Sequence, residues 1–97
     1  MSVVIVGTLD TKAEEIGFAR DVIEAQGVDV HVVDVGILGE PAFEPDTTAS
    51  EVAEAAGTSL EALREAADRG EGISAMCEGA TAVVGRLYEA GQLDAVL

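Results

Sequence analysis

Val3-Val4-Ile5-Val6-Gly7-Thr8-Leu9-Asp10-Thr11-Lys12 is the stretch from which the fold can be read. Its first four residues are apolar and β-branched, the signature of a buried strand. They run into Gly7, and Thr11 with Glu14 makes a Thr-x-x-Glu capping-box pattern, so a helix is predicted to open at Thr11. A strand that turns at glycine into a helix leaves backbone N–H groups without partners, beside the positive end of the helix dipole. That combination favours an anion. Lys12, the only lysine in the chain, falls in the first turn, where a cation helps most if something negative is bound.

The pattern downstream completes the unit. Ile16, Ala19, Val22 and Ile23 repeat at helical spacing over 12–26, and Gly27 closes that helix. Residues 28–34 read as a second strand, alternating first and apolar later. A strand–helix–strand unit of this length implies a parallel, right-handed crossover. His31 falls mid-strand and is read as half-exposed. The segment 35–47 is irregular, with Gly36, Gly39, Pro41 and Pro45, and long loops in small domains are often functional. Thr48 with Glu51 caps a short helix ended by Gly57, and Thr58 with Glu61 is expected to cap another through Asp68. Gly70 is read as a break. Ile73, Met76, Cys77, Ala80, Val83, Val84, Leu87 and Tyr88 then mark a longer amphipathic helix closed by Gly91, and 93–97 begins a third strand. The fold class is therefore α/β: a Rossmann-like or flavodoxin-like parallel sheet with flanking helices, showing at most the first three βα units. A doubly wound sheet needs more strands than these, so residues 1–97 are expected to be the N-terminal portion of one incomplete domain.

Composition excludes several functions. Nineteen acids against five bases give a net charge of −14, which argues against binding nucleic acid or an anionic membrane surface. The Ala…Gly…Leu spacing of residues 52–63 resembles a helix-turn-helix, but 40–71 carries nine acids and two arginines, the wrong charge for a DNA reader. An acidic, lysine-poor surface is the expected sign of a halophilic source. A single cysteine, Cys77, allows no intramolecular disulfide, and its place on a helix face reads as a small apolar residue. No leader or membrane-spanning run is read in the sequence, so a cytoplasmic location is expected. One His, one Cys and no recognisable ligand spacing leave no metal site and no catalytic constellation, so enzyme activity stays open.

In parallel sheets ligands bind beyond the carboxyl ends of the strands. The two strands deliver Gly7, Thr8, Asp10, Thr11 and Lys12 on one side and Asp34 and Gly36 on the other. Backbone amides with Thr11 and Lys12 would hold phosphate, and Asp34 stands where an acid closing a second strand meets a ribose hydroxyl. Each residue also has a plainer reading: Thr11 as a cap, Lys12 as a surface charge, Asp34 as an acceptor for loop amides.

Gly7-Thr8-Leu9-Asp10-Thr11-Lys12, Val33-Asp34-Val35-Gly36, Gly39-Glu40-Pro41 and Asp68-Arg69-Gly70-Glu71, in that order, resemble the N-terminal part of the Tm-one-like ATP-binding domain, the family named for the tomato mosaic virus resistance protein. The resemblance implies an ATP-binding α/β domain, with or without Mg, whose nucleotide contacts are Gly7, Thr8, Asp10, Thr11, Lys12, Asp34 and Gly36. Two alternatives stand beside it. One is a non-catalytic interaction module completed by a second polypeptide; the partner expected for the chain in general is a homo-oligomer copy or a completing C-terminal segment. The other is an enzyme domain holding a small phosphorylated or acyl substrate.

Overall fold

Every strand pairing in the computed structural model is parallel, and the strand order is β2-β1-β3. The structure describes residues 2–37, 40–65, 69–91 and 93–96. The elements run β1 (Ser2–Gly7), α1 (Ala13–Glu24), β2 (Asp29–Asp34), α2 (Ala49–Ala55), α3 (Leu60–Glu65), α4 (Arg69–Glu89) and β3 (Ala95–Val96). Placing β3 beside β1, on the side away from β2, reverses the direction in which the chain builds the sheet. The reversal falls at β1, as in flavodoxin-like sheets. The α/β class with a parallel sheet and flanking helices is thus the observed architecture.

Two small cores form because adjacent residues of a strand face opposite ways. Ile5 and Val32 turn toward Ile16 of α1 and enclose Leu9. Val4 and Val33 turn to the other face, where Val52, Ala53, Met76 and Val83 of α2 and α4 cover them. Gly27, Gly57 and Gly91 follow α1, α2 and α4 at φ +81, +82 and +75, the left-handed conformation that glycine adopts without cost. The outer edge of β2 is closed by the returning loop. Thr47 N–H and Asp46 N–H both donate to Val32 O at 3.0 Å, and Val32 N–H donates to the Asp46 carboxylate at 2.7 Å. His31 is half-buried mid-strand, its Nε2 2.7 Å from Thr47 Oγ1.

Several local expectations are corrected. Thr11 and Glu14 form no capping box. The helix starts at Ala13 with Lys12 in the N-cap position and no side-chain cap, because Thr11 N–H and Lys12 N–H close a turn on Thr8 O at 3.3 and 2.8 Å. At Thr48 the box is complete, with Thr48 Oγ1 accepting from Glu51 N–H and Glu51 accepting from Thr48 N–H. The cap of α3 falls one residue later than expected, on Ser59, whose Oγ accepts from Ala62 N–H at 3.1 Å. Gly70 is not a break but the second residue of α4, in the first turn, where its N–H has no intrahelical partner to lose. Asp68, Gly39 and Leu97, each named in the sequence reading, lie outside the described residues. Helix α4 packs on Met76, Gly79 and Val83, so Ile73, Cys77 and Tyr88, expected on its apolar face, turn outward. No described helix is long and apolar enough to cross a membrane.

Candidate functional site

A cleft of about 220 Å³ opens at the carboxyl edge of β1, at the point where the strand order reverses. Three pieces of chain meet there. The loop after β1 supplies Thr8, Asp10 and Thr11; the segment after β2 supplies Val35, Gly36 and Ile37; the first turns of α4 supply Gly72, Ile73 and Met76. The loop after β1 brings the polar lining side chains, and the other two pieces bring only apolar side chains and glycines.

The loop after β1 is fixed from three directions. Leu9 is fully buried against α1, which is why an apolar residue stands among polar ones. Its amide donates to Asp34 Oδ1 at 3.1 Å, and the same oxygen accepts from Gly36 N–H at 2.9 Å. Asp34 is 3% exposed, so these are charge-assisted bonds in a water-poor place and tie the loops after β1 and β2 to each other. Thr8 and Thr11 hydroxyls bond to one another at 2.9 Å, so one donates and the other keeps an O–H for a further acceptor. Gly7 packs against Ile16 so closely that a Cβ would lie 2.4 Å from its Cδ1. At Gly36 a Cβ would lie 2.5 Å from Asp10 Oδ1, so the Asp10 carboxylate occupies the room that glycine leaves.

Of the seven expected contacts, Thr8, Asp10, Thr11 and Gly36 come together around this cleft. Gly7, Lys12 and Asp34 are not among its lining residues; Lys12 is exposed at the start of α1. Asp34 instead borders a second hollow of about 260 Å³, with Pro45, Thr48, Ser50 and Arg64 on its other sides. Arg64 Nε donates to Ile37 O at 2.5 Å and so holds the segment between the two hollows. Phosphate was expected on backbone amides near Gly7 and Thr8, yet just beyond them the Leu9, Thr11 and Lys12 amides bond within the protein, as does that of Gly36. Ile37, Gly72, Ile73 and Met76 escaped the site reading. Ile73 and Met76 read only as part of an amphipathic helix and Ile37 as part of an irregular loop, and only the fold brings them to the cleft. Among the described residues no group of three or more His, Cys, Asp or Glu side chains is placed to hold a metal ion.

Residues 1–97 match the family described as "Uncharacterised protein family (UPF0261) N-terminal domain" over their whole length. The chain belongs to UPF0261. A UPF0261 protein of Brucella suis is 42% identical over 95 residues, which are 98% of this chain and 23% of that protein. One of Clostridium tetani is 39% identical over 95 residues, 98% of this chain and 24% of the relative. One of Mesorhizobium japonicum is 38% identical over 72 residues, 74% of this chain and 18% of the relative. The chain spans about a quarter of the length of the first two relatives. No solved structure matches it. These matches correct the resemblance drawn from the motifs: the family is UPF0261 and not the Tm-one-like ATP-binding family. ATP therefore does not come to this chain through family membership.

Proposed function

We propose that this domain binds a nucleotide, taken here as ATP with Mg, in the cleft beside β1. The observation that carries the reading is the cleft's position at the strand-order reversal, with Thr8, Asp10, Thr11 and Gly36 gathered around it. Such reversals leave a crevice between loops that diverge to opposite faces, and nucleotides commonly lie there. The Thr8–Thr11 hydroxyl pair keeps one donor for a phosphate oxygen, while Ile37, Ile73 and Met76 offer the apolar surface a base needs. At about 220 Å³ the cleft is smaller than the roughly 300 Å³ where drug-sized pockets begin, so the phosphate chain extends past its mouth. A Mg ion offsets the repulsion between that chain and an acidic protein. Lys12, exposed and outside the lining, contributes only a solvent-screened field.

The same small volume favours a second reading, a small phosphorylated or acyl substrate held whole. Calorimetric titration with ATP, and with a panel of phosphorylated and acyl metabolites, separates the two. Saturable ATP binding that Thr11→Ala weakens supports the nucleotide; saturation by a small metabolite alone overturns it. A homo-oligomer or a completing C-terminal segment is the partner we propose for β3. Among the described residues nothing pairs with its outer edge, and Val96 there is 49% exposed.

A further inference from the structure

Two carboxylates approach Gly36 at the carboxyl edge of β1 and β2, and their surroundings differ. Asp34 is 3% exposed and one of its oxygens receives two backbone amides, one from each loop. Asp10 is half-buried, lines the cleft and lies against the bare α-carbon of Gly36. Gly36 is not in the left-handed region, where Gly27, Gly57 and Gly91 lie. Glycine at 36 is therefore explained by space: a Cβ would lie 2.5 Å from Asp10 Oδ1 and 2.8 Å from Cγ, and would push the carboxylate out.

We propose that Asp10, not Asp34, is the specificity-determining carboxylate of this cleft, accepting hydrogen bonds from the vicinal hydroxyls of a ribose, and that Asp34 is a positioning residue holding the cleft walls together. The proposal rests on the nucleotide reading and deepens it. A carboxylate accepts and never donates, and its two oxygens match the two adjacent O–H donors of a ribose. It repels a phosphate oxygen, and the described residues lining the cleft include no cation to offset that. The sugar, not the phosphate chain, therefore belongs beside Asp10, and the phosphates run toward the Thr8–Thr11 hydroxyls.

The test is binding of ATP, 2′-deoxy-ATP and tripolyphosphate by the protein and by its Asp10→Asn, Gly36→Ala and Asp34→Asn variants. The unaltered protein is expected to prefer ATP over 2′-deoxy-ATP by roughly tenfold, the value of one hydrogen bond to a charged acceptor. Asp10→Asn removes most of that preference and leaves tripolyphosphate binding equal or tighter. Gly36→Ala, which displaces the carboxylate without deleting it, removes the preference too. Asp34→Asn weakens ATP and 2′-deoxy-ATP alike and keeps their ratio. A ratio unchanged in Asp10→Asn overturns the proposal while the nucleotide reading stands, and so does loss of tripolyphosphate binding in that variant, which would make Asp10 a cation ligand. Failure of the folded, unaltered protein to bind any of the three overturns both.

Discussion

Helix α4 crosses α2 at Gly79, and the loops after β1 and β2 meet at Gly36; neither glycine leaves room for a Cβ. At the crossing, a Cβ on Gly79 would lie 2.0 Å from the backbone oxygen of Val52 and 2.9 Å from its carbonyl carbon. At the loops, a Cβ on Gly36 would meet the end of the Asp10 side chain. Backbone of a packed helix cannot retreat, whereas a carboxylate can rotate away. One glycine therefore sets the architecture and the other sets where the Asp10 carboxylate lies. Room at a glycine says little by itself. What fills the room decides what the glycine is for.

The largest expected effect lies at the crossing. Gly79→Ala should destabilise by about 3 kcal/mol, the upper range for overpacking, and lower the urea midpoint. Gly85 on the same helix has nothing within 4 Å of its Cβ position, so Gly85→Ala should stabilise by about 0.5–1 kcal/mol. Equal losses from the two would show that the approach to the Val52 backbone is not what requires glycine at 79. Next comes Asp34→Ala, which leaves the Leu9 and Gly36 amides without their acceptor. It should cost about 2 kcal/mol, read as a lower thermal midpoint. Gly36→Ala is smaller in stability, under about 1 kcal/mol, because only a flexible side chain must move. A loss as large as that of Gly79→Ala would show that Asp10 cannot yield. Smallest of all, Lys12→Ala should change stability by less than about 0.5 kcal/mol, and ATP affinity only slightly, since the residue is exposed and lines neither hollow.

Much of this architecture was legible in the sequence, for identifiable reasons. The β1–α1–β2 unit follows from apolar periodicity and from Gly27, and the Thr48 capping box follows from four adjacent residues. The same Thr-x-x-Glu pattern failed at Thr11, because the chain there turns on Thr8 O and spends the Thr11 hydroxyl on Thr8. A local pattern states what a segment can do, and tertiary bonds choose among the options. Asp34 shows the same limit. Its place after β2 made a sugar contact reasonable, but the burial of Leu9 brings an amide to it that nothing in the local sequence announces. The apolar side of the cleft was hidden for another reason. Ile37, Ile73 and Met76 come from the loop after β2 and from α4, so their meeting is a property of the fold. The motif resemblance rested on short segments, and the match over residues 1–97 replaced it with UPF0261.

An ATP titration followed by the amide resonances of the chain decides whether the cleft beside β1 holds the nucleotide. Residues 8–11, 35–37 and 72–76 are expected to shift together along one saturation curve, while those around Val52 and Gly79 stay still. A well-dispersed spectrum in which those three segments do not move, or in which the shifts centre on Thr48, Ser50 and Arg64 at the second hollow, would contradict it.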